Sequence, residues 1–221
     1  NDLSDEQMVE KLRLAKIDPD AAIPSVETLL HAFLPNKFVM HTHSNAVLAL
    51  TNQVDGARQC KNVFGPKVET ISYTMSGFRL AKKATSVFEK TPNILGLVLM
   101  NHGIFTFGKT AKEAYDRMIR LVTLAESELK KNRKNVFKAE NIPPKLRSIS
   151  EIGPIIRGAL GPGWLLDFRT DNAIRNFVTG KELARYGAAG PVTPDHVIWT
   201  KAKPLILPIP DLHQGFSMKV Q

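Results

Sequence analysis

The apolar run from Ile94 to Met100 breaks at Asn101-His102-Gly103 and resumes in Ile104-Phe105-Thr106-Phe107. A nearly uninterrupted hydrophobic strand fits only where both of its faces are covered, so the chain must build a sheet with helices on each side. The break reads either as a strand pair turning around His102 and Gly103 or as one long strand bent there. Around it, segments of helical and strand periodicity alternate, which gives an α/β layered fold with a mixed, mostly antiparallel central sheet flanked by helices.

Ser4 can cap a helix from Asp5 to about Ala15, with Met8, Val9 and Leu12 inward. Pro24-Ser25 leads into a second helix with Val26, Leu29, Leu30 and Phe33 at helical spacing. Phe38 to His41 reads as a strand, Ser44 as the cap of a helix to Thr51, and Val68 to Thr74 as an alternating strand. A helix follows Gly77, with Leu80, Ala84, Val87 and Phe88 inward. Thr110-Ala111-Lys112-Glu113 forms a capping box. It opens the clearest helix, to Lys131, with Ala114, Met118, Leu121, Val122, Ala125 and Leu129 as its inner stripe. Beyond it the composition shifts. Asn141-Ile142-Pro143-Pro144, Gly161-Pro162-Gly163 and the proline-rich end mark irregular chain, with short helices at Asn172–Val178 and Lys181–Tyr186. We therefore expect a domain over residues 1–135 and an irregular C-terminal extension over 136–221, packed on it.

With 221 residues, 43% hydrophobic and 23% charged, the chain buries one good-sized core. No apolar run reaches the roughly 18 residues of a membrane span, so no membrane partner is expected. The single cysteine, Cys60, excludes an internal disulfide and reads as a plain buried residue. With no export signal, a cytoplasmic location is expected. The net charge of +9 is spread along the chain. Its densest run, Lys130-Lys131-Asn132-Arg133-Lys134, lacks interleaved aromatics and suits a helix C-terminus. A nucleic-acid partner is not expected, whereas a small anionic substrate suits the field. The start, Asn1-Asp2-Leu3-Ser4, lacks an initiator Met, and we expect a fragment.

In an extended segment, His41 and His43 point to one face and can share an ion. Neutral imidazole suits zinc and its neighbours. His102 sits where a buried strand meets a glycine, a place where a side chain can face a cleft and backbone can approach a ligand. Glu27 falls in the first turn of its helix. Each residue taken alone also has an ordinary explanation. A His-x-His pair arises by chance, His102 suits a core position bonded to a carbonyl, and Glu27 complements a helix dipole. His31, four residues after Glu27 on the same helical face, is a candidate hydrogen-bond partner that would hold Glu27 in place. His196 reads as part of a capped turn, and His213 as solvated.

Together the segments carry more. Pro24-Ser25-Val26-Glu27-Thr28-Leu29-Leu30-His31 and Val39-Met40-His41-Thr42-His43-Ser44-Asn45-Ala46-Val47-Leu48, followed by Asn101-His102-Gly103-Ile104-Phe105 through Tyr115, resemble the two halves of the class II aldolase/adducin signature. The resemblance covers residues 20–131. Ser4 to Val9, Ser25 to Pro35 and Gly190 to Val197 resemble, more narrowly, bifunctional rhamnulose-1-phosphate aldolase/short-chain dehydrogenase proteins. No Gly-x-Gly-x-x-Gly loop is present, so the dehydrogenase portion is expected to be absent.

The resemblance implies that His41, His43 and His102 are zinc ligands (another divalent transition metal being an alternative), Glu27 the catalytic acid/base and Ser25 a phosphate-binding residue. It implies retro-aldol cleavage of a ketose 1-phosphate, L-rhamnulose 1-phosphate by the narrower likeness, to dihydroxyacetone phosphate and L-lactaldehyde. It also implies a homotetramer with sites at subunit boundaries. The alternatives are a sugar-phosphate 4-epimerase and an adducin-like binding module without metal. The family's Gly/Asn-rich phosphate loop is expected upstream of the first helix. The stretch between Glu27 and His41 is shorter than in fuculose-phosphate aldolases. Tyr73 is the nearest candidate for their proton donor, with strand packing as its alternative.

Overall fold

A computed structural model describes residues 3–131 and 148–207. His213, Asn141 to Pro144, Asn132 to Lys134 and Pro208 to Pro210 lie outside the described residues. The chain divides into two compact units, Asn1–Arg133 with Pro191–Lys201, and Lys134–Gly190 with Ala202–Gln221.

In the first unit the order is α1 (Asp5–Leu14), α2 (Thr28–Phe33), β1 (Phe38–Thr42), α3 (Asn45–Thr51), α4 (Gly56–Phe64), β2 (Val68–Ile71), α5 (Phe78–Lys90), β3 (Gly96–Leu99), β4 (Gly103–Gly108) and α6 (Ala111–Lys131). The strands form one sheet in the order β1-β4-β3-β2. β1 and β3 flank β4 antiparallel, and β2 joins β3 parallel. The mixed sheet flanked by helices is the expected architecture.

Strand alternation sends Leu97, Leu99, Phe105 and Phe107 into one layer with Leu30, Leu34, Leu80, Ala84 and Phe88 from α2 and α5. Val98 and Ile104 enter the opposite layer with Val47, Leu50, Cys60, Phe64, Met118 and Leu121 from α3, α4 and α6. This two-sided cover is why the run around residues 94–107 carries so few polar residues. Each fully buried Leu, Val or Phe there contributes roughly 1.5–3 kcal/mol relative to exposure.

β3 and β4 are a hairpin, with Leu99 opposite Gly103, so Met100, Asn101 and His102 form the turn. Asn101 has φ 60, the left-handed region that Asn tolerates better than most residues. Its side-chain amide donates to Asn52 Oδ1 at 2.7 Å.

Several local expectations shift. α2 starts only at Thr28, and Val26 and Phe33 are exposed while Leu30 is buried. β2 ends at Ile71, because Ser72 onward leaves the sheet as a loop towards α5. α4 has no counterpart in the sequence reading. Its buried face is one residue per turn, Gly56, Cys60 and Phe64, too narrow to stand out among polar neighbours. Cys60 is buried as expected, and burial pushes its thiol up to about 11.

α6 begins with Thr110 Oγ1 accepting from the Glu113 backbone N–H, and Glu113 accepts from the Lys109 N–H. Lys130 and Lys131 lie in its last turn. The segment Pro191–Lys201 carries α10 (Pro194–Trp199), capped by Thr193. His196 donates its backbone N–H to Thr193 and its ring meets the same hydroxyl, in keeping with the capped-turn reading.

The second unit holds α7 (Ile149–Leu160), α8 (Asn172–Val178) and α9 (Leu183–Gly187). α8 matches its expected span, and Asp171 caps it by accepting from the Ile174 N–H at 2.8 Å. α7 replaces expected irregular chain. Pro154 inside it hides the helix from a pattern reading, while Ser148 N–H donating to Glu151 secures its start. Among the described residues no helix is long and apolar enough to cross a membrane.

Candidate metal centre

Three elements bring four side chains to one point. β1 carries His41, and the residue just past its end is His43. The β3–β4 turn carries His102. Glu27 occupies the N-cap position of α2, but its side chain does not cap the helix. It reaches the imidazoles instead, so the dipole explanation of this acid does not describe what its carboxylate does. The ligand atoms of Glu27, His41, His43 and His102 all lie within 4.8 Å of one another. His102 Nε2 donates to Glu27 Oε1 at 2.6 Å, and the Nε2 atoms of His41 and His43 stand 3.4 and 3.9 Å from the same oxygen. The ring centroids of the three imidazoles are 4.7, 5.2 and 5.0 Å apart.

The outer nitrogens fix how two of the rings present themselves. His41 Nδ1 lies 3.1 Å from the Ile104 carbonyl oxygen, which can only accept, so Nδ1 carries the proton. His43 Nδ1 lies 3.1 Å from Asp195 Oδ2, and the same argument holds for a carboxylate. Both rings, when neutral, therefore turn an Nε2 lone pair inward. These two Nε2 atoms are buried without a hydrogen-bond partner. A buried, unsatisfied acceptor costs about 1–3 kcal/mol, a penalty that an ion removes. His102 Nδ1 faces Ser76 Oγ at 3.4 Å, and a hydroxyl serves either tautomer. The residues thus fit a divalent transition ion held by three imidazole nitrogens, with Glu27 beside it.

Electrostatics follow the burial. Burial pushes the Glu27 carboxyl upward, but the hydrogen bond from His102 and the neighbouring His41 edge outweigh it, holding Glu27 well below the carboxylate range. His43 is lowered, by burial first and then by the charges of His41 and His102, against the pull of Asp195 and Glu27. A lowered imidazole stays neutral at physiological pH, which is the ligand form.

Gly103 is part of the centre. A Cβ on it would lie 2.6 Å from the Thr42 carbonyl oxygen, 2.8 Å from His41 Cε1 and 3.1 Å from His43 Cδ2. The sequence suggested a backbone approach to a ligand here; the structure shows an approach to the histidine rings themselves. Phe105 supports His41 from below, stacked at 4.1 Å and 16°.

The other expected residues fall outside the converging group. His31 packs on Phe105 at 5.4 Å, and burial, then the charge of His41, lower its imidazole against the pull of the Glu27 carboxylate. Ser25 Oγ accepts from the Glu27 N–H at 3.1 Å and its carbonyl accepts from Thr28, shaping the turn that aims Glu27. Tyr73 is 63% exposed, beyond the end of β2, so the strand-packing alternative does not apply. Asp195 and Ser76 were missed as partners of the histidines. Asp195 is 152 residues from His43, and its one signal is the resemblance of Gly190 to Val197. Ser76 gave none.

The family model of the Class II Aldolase and Adducin N-terminal domain matches residues 2–129. The chain belongs to the class II aldolase and adducin family. A second family model, Aldolase class II, second domain, matches residues 147–220. The structure of the N-terminal Class II Aldolase domain of a conserved protein from Thermoplasma acidophilum is similar, with 45% identity and a TM-score of 0.54 over 58% of this chain and 59% of that one. A curated relative from Bacillus subtilis (strain 168), named Uncharacterized oxidoreductase YuxG, is 29% identical over 214 residues, 93% of this chain. The chain spans only 31% of that relative's length. The class II aldolase and adducin family thus accounts for the sheet, for both helix layers and for the stretch that carries the three histidines and Glu27.

Proposed function

We propose that this chain is the lyase portion of a metal-dependent aldolase that cleaves a ketose 1-phosphate, L-rhamnulose 1-phosphate, to dihydroxyacetone phosphate and L-lactaldehyde. The observation that carries the reading is the inward convergence of His41, His43 and His102 on Glu27, with two imidazole lone pairs buried and unsatisfied. An adducin-like binding role gives no reason for that arrangement. The choice of sugar rests on the narrower sequence resemblance, and the oxidoreductase name of the longer Bacillus subtilis relative is consistent with a two-part protein.

A bound divalent ion, zinc in this reading, supplies a Lewis acid for the charge that develops on the ketose oxygens when the C3–C4 bond breaks. His41, His43 and His102 hold and orient it. Glu27, kept ionised at neutral pH, is in the base form. It takes a proton from the triose-phosphate carbon in the synthetic direction and returns it during cleavage. Ser25, in the turn beside Glu27, is the proposed contact of the substrate phosphate, and Tyr73 is the proposed proton donor to the aldehyde oxygen in the synthetic direction, so in cleavage it takes the proton that the C4 hydroxyl gives up. The active form is proposed to be a cytoplasmic homotetramer.

Metal analysis of protein purified without chelator, coupled to an aldehyde assay on rhamnulose and fuculose 1-phosphates, tests the reading. Stoichiometric metal and free lactaldehyde are expected. Absence of metal uptake, or no aldehyde from either sugar with loaded protein, overturns it, and an epimerised sugar phosphate as product points to the 4-epimerase. Glu27→Gln is expected to lower kcat/KM by about 10²–10⁴-fold while leaving metal content intact.

A further inference from the structure

The three imidazoles are not held alike. His41 lies within β1 and is anchored by the backbone carbonyl of Ile104 on the neighbouring strand. His102 sits in a hairpin turn with Ser76 at its outer nitrogen. His43 lies beyond the last residue of β1, where the sheet no longer dictates its ring orientation. Its outer nitrogen is met by Asp195, at the start of α10 and far along the chain.

Asp195 is itself fixed. Pro194 and the Thr193 cap set the first turn of α10. Just before them, the Val192 carbonyl accepts from Asn52 Nδ2 at 3.3 Å. The oxygen of the same Asn52 amide accepts from Asn101, the residue preceding His102. One side chain on the end of α3 therefore ties the turn that carries His102 to the segment that carries Asp195.

We propose that Asp195 is a positioning residue of the metal centre, which holds His43 in the tautomer and orientation that direct Nε2 at the ion. A carboxylate on the outer nitrogen also makes the ring a stronger donor to a metal. Asp195 falls in the stretch matching the second-domain family model, whereas the three histidines fall in the first. Metal affinity of the first-domain histidines thus depends on a residue that the first-domain sequence does not contain.

This inference rests on the metal reading above, and zinc titration in competition with a chromophoric chelator separates the two. If the wild-type chain takes up no zinc, the metal reading fails and this one with it. With wild-type uptake, Asp195→Ala is expected to weaken zinc binding about 10–100-fold, Asp195→Asn less, and Asp195→Glu to recover part of the loss. The metal-free melting temperature of these variants is expected to stay near wild type, since Asp195 is half-exposed. Zinc affinity of a folded Asp195→Ala within about twofold of wild type overturns the proposal. Nitrogen-15 NMR of the metal-free wild type gives a reading independent of any variant. A proton on His43 Nδ1 is expected, and a proton on Nε2 with Nδ1 bare overturns it.

Discussion

Gly103 shows how a single missing side chain sets the spacing of the centre. Its Cα faces the Thr42 carbonyl and the His41 ring, both closer to a built Cβ than real contacts allow, and the His43 ring, where the contact would be tight. Gly103→Ala must therefore push the β1 histidines away or open the β1–β4 pairing. We expect a loss of about 1–3 kcal/mol in unfolding free energy, the usual cost of overpacking, together with weaker zinc binding, read by denaturant titration and chelator competition. Cys60 gives a prediction of the opposite kind. With its thiol raised from 9.0 to about 11 by burial, the native thiolate fraction at pH 8 is about a hundredfold lower than in the unfolded chain. Iodoacetamide is thus expected to label native protein at least that much more slowly. Because the folded pKa is the higher one, the unfolded chain releases this proton first. The stabilisation is whole below about pH 9 and is lost as pH rises towards about 11, a decline that Cys60→Ala should lack. The four residues of the centre were legible because a signature resemblance joined segments that are individually unremarkable. Asp195 was not, since nothing in a turn sequence announces which ring it will meet.

Among secondary structures, the β3–β4 hairpin is the most constrained piece. Asn101 holds φ 60 in its turn and donates to Asn52. Asn101→Ala is expected to cost about 1–2 kcal/mol from the left-handed backbone alone. Asn101→Gly keeps the backbone and loses only the amide bond. Thermal melts should rank wild type first, glycine second and alanine last, and zinc affinity should follow the same order if the turn aims His102. α5 and α6 could be read from sequence because wide apolar faces mark them, with a capping box added at α6, while for the hairpin the sequence left one long bent strand as the alternative. α4 and α7 could not. The first buries one side of a narrow stripe at Gly56, Cys60 and Phe64, and the second carries Pro154 in its interior. For α4 the fold around that stripe decides the conformation, whereas α7 buries no residue and starts on its own capping box, Ser148 with Glu151.

Across the chain, the excess of positive charge is dispersed, with net +9. Such a field raises the local concentration of a phosphorylated ligand without forming one patch. Dihydroxyacetone phosphate is expected to bind several-fold more weakly as salt rises from about 0.01 to 0.1 M, where the screening length falls from about 30 to about 10 Å, while uncharged dihydroxyacetone is expected to respond little. Isothermal titration at the two salt levels checks this. The pairing of β1 with β4 carries a different consequence. His41 stands opposite Phe105, and Leu99 opposite Gly103. A slip of two positions along β4 keeps every hydrophobic side chain on its proper face, yet displaces the rings of His41 and His43 by about 7 Å relative to His102. Hydrophobicity alone is nearly blind to such an error. Coordination is not, so with the proposed ion a cation present during folding would act as a proofreader, rewarding the native alignment of these strands and leaving the shifted one unrewarded.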